Sequence, residues 1–244
     1  MKTMVFAGRN GKEMLRDRLN LAFGLGFPLI LLLLLSMIQS NVPVELFSIK
    51  KLVPGIAVFG FSFISLFSGM VIAKDRSSAF MMRMLTSPMK ATDFILGYTL
   101  PLLPMAVAQS LVCFGIALLL GLDVTVNILL TVVVLLPAAI LFIGIGLLAG
   151  TLFNEKQVGG VCGALLTNVS AWLSGTWFDI GLVGGTFEEI AKLLPFCHAV
   201  DAGRYALAGE YGKVLPELVW VIGYAAMVMV LAVLVFMRKM KKSA

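Results

Sequence analysis

The chain has 244 residues, 60% of them hydrophobic and only 13% charged, with a formal net charge of +6 and a mean hydropathy of +1.01. A water-soluble domain of this length needs a larger polar share to cover its exterior, so the composition excludes one and points to a protein whose surface meets lipid. The positive balance would raise nucleic acid as a partner in a soluble protein; here its meaning depends on where the basic residues fall.

Residues 1–18 are polar but patterned. At about 100° per residue, Met4, Ala7, Gly11, Met14 and Leu15 share one helix face, and Arg9, Lys12, Glu13, Arg16 and Asp17 share the other. This predicts an amphipathic helix lying in the headgroup layer. The apolar run that follows lacks a small-residue cleavage site, so it is expected to stay as an anchor. A membrane helix needs about 20 mostly apolar residues. Six segments meet this requirement: 20–39, 52–73, 94–121, 126–152, 158–178 and 218–237. Residues 29–35 are apolar without interruption, whereas a barrel strand would alternate. The fold class is therefore all-α: one polytopic domain over residues 1–244 with six transmembrane helices.

With the N-terminus inside, 14 of the 19 Lys and Arg residues fall on the cytoplasmic side. The other five, Lys50, Lys51, Lys192, Arg204 and Lys213, fall opposite. Both termini are thus expected in the cytoplasm, and the net charge reflects topology rather than a nucleic-acid partner. Two connections are long enough to carry structure. The cytoplasmic one, 74–93, holds the apolar run Phe80-Met81-Met82-Arg83-Met84-Leu85, too short to span; it predicts a short helix ending before Pro88 that needs a partner. The outer one, 179–217, is broken at Gly184-Gly185 and restarted by a capping-box spacing at Thr186 and Glu189. Pro195 interrupts it, and residues 197–208 form a second helix closed by Gly209. This predicts a re-entrant helical hairpin, tolerated only where protein or water covers its backbone.

Catalytic signatures are missing. Gly8-Arg9-Asn10-Gly11-Lys12-Glu13 lacks the spacing, the hydroxyl residue and the preceding strand of a phosphate loop. Cys113, Cys162 and Cys197 sit in apolar surroundings at no metal-like spacing and read as buried apolar residues. His198, Asp201 and Arg204 share a stripe on the second hairpin helix and are expected to form a structural ion-pair set. A proton relay would need carboxylates near the centre of a span. Gly146-x-x-x-Gly150 and Gly159-x-x-x-Gly163 allow close helix approach. The polar groups within spans leave two readings open: bonding between helices, or a substrate path bordered by the second and fifth spans. The path reading takes Ser62, Ser65, Ser68, Gln109, Asn168 and Ser174 as its lining. Pro28, Pro101, Pro104 and Pro137 each remove a backbone donor within a span and can kink it.

Three stretches carry a resemblance. They are Arg9-Asn10-Gly11-Lys12-Glu13-Met14-Leu15-Arg16-Asp17, then Asp75-Arg76 with Phe80 and Arg83-Met84-Leu85-Thr86-Ser87-Pro88, then Leu194-Pro195-Phe196-Cys197-His198 with Asp201 and Arg204. In order and placement the chain resembles, over essentially its whole length, the permease subunit of type-two ATP-binding-cassette exporters. It departs from the family at Ser78-Ala79, where a glycine often opens the cytoplasmic loop. The resemblance implies a pathway formed with a second permease subunit, identical or paralogous, and two copies of an ATPase subunit that holds the ATP and Mg. This chain itself would bind no cofactor. It further implies that Phe80, Met84 and Leu85 fill an ATPase groove, with Arg76 and Arg83 as polar anchors. Expected with it are a bacterial cell membrane and export of a drug, antibiotic or other amphipathic compound, with lipid or glycan export as the alternative. A secondary transporter or channel, or a membrane scaffold, is the rival class; intramembrane charges or an internal repeat would mark the former.

Overall fold

A computed structural model describes residues 2–42, 47–78 and 91–243. Every regular element among them is helical. The N-terminal helix α1 runs Lys2–Arg16 and gives way at once to α2, Arg18–Ser40. Helices α3 (Ile49–Ser77) and α4 (Ala91–Leu119) follow. Next come α5 (Asn127–Val134) and α6 (Leu136–Leu152), which meet at Leu135. The break lies beside Pro137, whose missing N–H leaves a helix interior without one of its bonds. Among the described residues, five helical stretches are long and apolar enough to cross a membrane: Leu21–Ser40, Ile49–Ser77, Thr92–Leu119, Asn127–Leu152 and Tyr211–Lys239. They correspond to five of the six segments read from the sequence.

The predicted span 158–178 takes a different form. It begins as α7 (Glu155–Val158), widens into a π-helical stretch over Gly159–Leu166, and returns to α-helix in α8 (Thr167–Leu173). Glycines are poor holders of α-helical register, and three lie in the widened part. The start of α7 is fixed by a capping box: Asn154 Oδ1 accepts from Gln157 N at 2.9 Å, and Gln157 Oε1 accepts from Asn154 N at 3.1 Å. The path runs antiparallel along α3, with Val158 against Gly69, Gly163 against Leu66 and Thr176 against Gly55.

Helix α3 is the axis of the molecule. Of its most apolar window 78% is buried, against 22% for α2 and 17% for the last helix, α12 (Tyr211–Ser243). It packs on α2, α4, α6 and the π-helical stretch. Between apolar helices in lipid, close packing replaces the hydrophobic effect as the source of association. A Cβ on Gly146 would lie 2.1 Å from the Ser65 carbonyl oxygen, and one on Gly150 2.2 Å from that of Gly69. Only glycine lets α6 meet α3 backbone to backbone here. The second glycine pair behaves differently: Gly159 has open space around it, and Gly163 meets only the Leu66 side chain.

The hairpin comprises α9 (Ile180–Val183), α10 (Gly185–Leu193) and α11 (Pro195–Ala208). Gly184, not Thr186, is the N-cap of α10, and no side-chain cap bond forms there, so the expected capping box is absent. Its φ of 63° and the 57° of Gly185 are left-handed, which explains two glycines at this corner. Gly209 closes α11 at φ 79°, with Gly209 N donating to Ala206 O and Glu210 N to Tyr205 O. Helix α11 is wedged among α12, α5 and α3, with Val200, Ala202 and Ala206 fully buried.

Candidate functional site

Two constellations stand out, one at the end of the molecule that carries α1 and one along its flank. The first centres on Asp75, near the C-terminus of α3 and only 3% exposed. A buried carboxylate requires partners, and three bonds supply them. Arg9 Nη1 donates to Asp75 Oδ2 at 2.7 Å and Arg9 Nη2 to Oδ1 at 3.0 Å, a two-pronged guanidinium–carboxylate pair. Tyr98 Oη, from α4, donates to Oδ2 at 2.9 Å. Glu13 extends the set, meeting Arg9 Nη2 at 2.7 Å and Lys74 Nζ at 2.9 Å. Burial works against the Arg9 charge, but the hydrogen bond and the charge of Asp75, with Glu13 behind them, hold its guanidinium above the ordinary value.

The same helix is fitted to α4 by shape. Pro101 has no N–H, so the Gly97 carbonyl one turn earlier lacks its helical donor. Asn10 Nδ2, fully buried, donates to that carbonyl at 3.1 Å. Gly97 also makes room for the Phe6 ring, whose Cδ1 would lie 2.2 Å from any Cβ there. Phe6 meets Phe94 and Tyr98 edge-on, with centroids 5.8 and 5.0 Å apart. The buried face of α1 is therefore Phe6, Ala7, Asn10 and Met14. Met4 and Leu15, expected on the apolar face, are both exposed.

Arg76 turns the other way. Its Nη1 donates to Gly150 O at 3.1 Å and its Nη2 to Phe153 O at 3.2 Å, satisfying carbonyls at the C-terminal end of α6. Asp75 and Arg76 thus join the end of α3 to α1, α4 and α6. Residues 74–77, expected to open the cytoplasmic connection 74–93, are instead the last turn of α3, which is capped at Ser78. Phe80, Arg83, Met84 and Leu85, the other members of the expected ATPase-contact set, lie outside the described residues.

At the far end Arg204 bonds Asp201 at 3.2 Å, the Lys51 carbonyl at 3.1 Å and the Gly175 carbonyl at 2.7 Å. Burial pushes the Asp201 carboxyl up, against the pull of Arg204. His198 leaves this pair and reaches Glu217 on α12, with its ring stacked on Trp220 at 5.1 Å. Among the described residues, no group of His, Cys, Asp and Glu side chains is placed to hold a metal.

The second constellation is a groove of about 670 Å³ between α2, α3 and the broken span. Phe23 and Phe27 line it from α2, and Phe59 and Phe63 from α3. Thr167, Asn168 and Trp172 line it from α8, with Trp177 and Phe178 just beyond. Of the six polar residues expected on a path, Asn168 lines the groove. Ser62, Ser65, Ser68, Gln109 and Ser174 are buried inside the chain. Ser68 donates to Ile143 O at 3.0 Å and Gln109 to Ala57 O at 3.3 Å, each bridging two helices. The aromatic lining was not singled out in the sequence, although its signal is there: Phe23/Phe27 and Phe59/Phe63 repeat at the four-residue spacing of one helix face.

No curated protein matches the chain significantly. Residues 1–208, from α1 through the end of the hairpin, match the ABC-2 type transporter family. That stretch includes both the Asp75 cluster and the groove and leaves out only the last helix. The chain belongs to the ABC-2 type transporter family and is the membrane permease subunit of such a transporter, not its ATPase.

Proposed function

We propose that the chain is half of the pathway of an ATP-driven exporter, paired with a second permease subunit, identical or paralogous, and served by two ATPase subunits that hold the ATP and Mg. Its cargo is a drug, antibiotic or other amphipathic compound. The observation that carries this reading is the family match over residues 1–208, with both constellations inside it. The Lys and Arg bias supports a cytoplasmic α1 end, a bacterial cell membrane is the setting proposed with it, and the broken span beside α3 serves as the sixth crossing.

Coupling follows from what joins the loop to the helices. An ATPase closing on Phe80, Arg83, Met84 and Leu85 pushes on the end of α3. Asp75 transmits the push to α1 and α4 through Arg9 and Tyr98, and Arg76 transmits it to α6. The groove, walled by α2, α3 and the broken span, is the surface those movements reshape. Affinity purification from native membranes in mild detergent tests the assignment. An ATP-binding-cassette ATPase should co-purify in equal amount, and its reproducible absence overturns the reading. Joint substitution Phe80→Asp and Leu85→Asp should abolish stimulated ATP hydrolysis; a fully active complex overturns the loop assignment.

A further inference from the structure

We infer that the flank groove selects lipophilic aromatic cations over anions of the same shape. The inference rests on the groove lying on the transport path and names the chemistry of what enters it. Seven of its twelve lining residues are aromatic and none carries a formal charge. Phe27, Phe59, Phe63 and Trp177 meet at centroid distances of 5.5–6.2 Å and interplanar angles of 39–80°, so none of these rings stacks face-on over another. Aromatic faces are the negative side of the ring quadrupole and attract cations, most strongly where water is excluded.

The polar edge of the groove is uncharged, and its donors are partly spent within the span. Thr167 turns its hydroxyl proton back to the Cys162 carbonyl at 3.0 Å, and Asn168 turns its amide nitrogen to the Ala164 carbonyl at 2.8 Å. Both bonds lie within the broken span itself, so the two side-chain oxygens and a single Asn168 N–H remain at this edge. A bulky anion would find ring faces, oxygen lone pairs and only the neutral N–H donors of Asn168 and two indoles, with no basic residue in the lining. A glycan would find few hydrogen-bonding groups across the groove. A cation that carries its own aromatic rings finds stacking partners and an electron-rich wall.

Two of the three tryptophans, Trp172 and Trp177, line the groove, and the third stacks on His198 away from it. This permits a direct test on the purified full chain in detergent, with Trp220→Phe leaving only groove fluorescence. Tetraphenylphosphonium and tetraphenylborate share one shape and carry opposite charge. The cation should quench with an apparent affinity at least about tenfold above that of the anion. Phe27→Leu and Phe59→Leu should each weaken the cation about fivefold while leaving the helical circular dichroism unchanged. Equal quenching by the two ions, or a cation affinity indifferent to both substitutions, overturns the inference.

Two further arms separate this inference from the path reading. In a background without the native cysteines, Asn168→Cys that cross-links quantitatively between copies and excludes the cation makes a second chain the occupant and overturns the inference. ATP-driven uptake of tetraphenylphosphonium into inside-out vesicles bearing the ATPase reads transport. Preferential cation binding without uptake removes the groove from the path and leaves its cation preference standing. Uptake with no preference over the anion does the reverse.

Discussion

The Asp75 cluster and the flank groove are built from opposite materials. The cluster joins residues far apart in the chain, Arg9, Asp75 and Tyr98, through directional bonds of 2.7–3.0 Å onto one buried carboxylate. The groove has no charged residue and is made of rings meeting at varied tilts. A two-pronged ion pair has few acceptable geometries, so helices joined by one move together or the pair breaks. Ring contacts are individually weak and accept both tilted and edge-on geometries, so an aromatic wall adjusts to different occupants at little cost. One region preserves a relation between helices; the other can change its contents. Substitutions in the first should register as lost stability, and substitutions in the second as altered binding.

The largest effect is expected at Asp75. Asp75→Ala removes the acceptor of three bonds and leaves the Tyr98 hydroxyl buried without it. Arg9 keeps part of its hydration, because its side chain is 36% exposed. The loss should therefore be about 2–4 kcal/mol, toward the lower end for a broken buried pair. Thermal unfolding of the purified protein in one detergent measures it. Asp75→Asn should fall between wild type and alanine, since it still accepts from Tyr98 but presents no charge to Arg9. In a double-mutant cycle Arg9→Ala and Asp75→Ala should be non-additive, and additive losses would mean that the pair does not act as a unit.

Gly97→Ala comes next. Its new methyl group would lie 2.2 Å from Phe6 Cδ1, and α1 must shift to relieve the clash. Overpacking of this kind costs about 1–3 kcal/mol. Limited proteolysis should show α1 cleaved sooner in the variant, and adding Phe6→Ala should return part of the loss. Asn10→Ala is smaller, about 1–2 kcal/mol, because it leaves one carbonyl without its donor and introduces no clash. Its sharper control is Asn10→Ala together with Pro101→Ala, which restores the backbone donor to Gly97 O. If the double variant is no more stable than Asn10→Ala alone, the account of the Gly97 carbonyl is wrong.

How α1 is oriented shows what the sequence could and could not convey. Sorting by polarity set Met4 and Leu15 with Ala7 and Met14, and nothing in that sorting could turn Asn10 inward. The reason for its burial lies on another helix, where Pro101 leaves a carbonyl unbonded. Five long spans were legible because uninterrupted apolar length is a local property. The segment 158–178 was legible as apolar but not as π-helical, since the widened stretch depends on hydrogen-bond register, which hydropathy does not record. Within the candidate sites, Asp75 and Arg76 belong to a stretch that carries the family resemblance, yet their separate partners on α1, α4 and α6 are set by the packed structure. The serine stripe of α3 shows the converse limit. Spacing placed Ser62, Ser65 and Ser68 on one face correctly, and only packing shows that this face turns to the inside of the chain.

The smallest stability change is expected in the groove, and it is the one that tests the contrast most closely. Phe27 is 38% exposed, and in a membrane protein an exposed ring faces lipid or the pathway. Phe27→Leu removes ring contacts at one edge without uncovering a polar group, so unfolding should shift by no more than about 0.5–1 kcal/mol. Its effect should appear instead in tetraphenylphosphonium affinity. Asp75→Ala should behave in the opposite sense in the isolated chain: a clear loss of stability and, below the unfolding transition, near-normal affinity at the groove. If Asp75→Ala weakens cation binding as much as Phe27→Leu does, the two regions are already joined without an ATPase. The α3 helix, which carries both Asp75 and the Phe59/Phe63 wall, would then be the element that joins them.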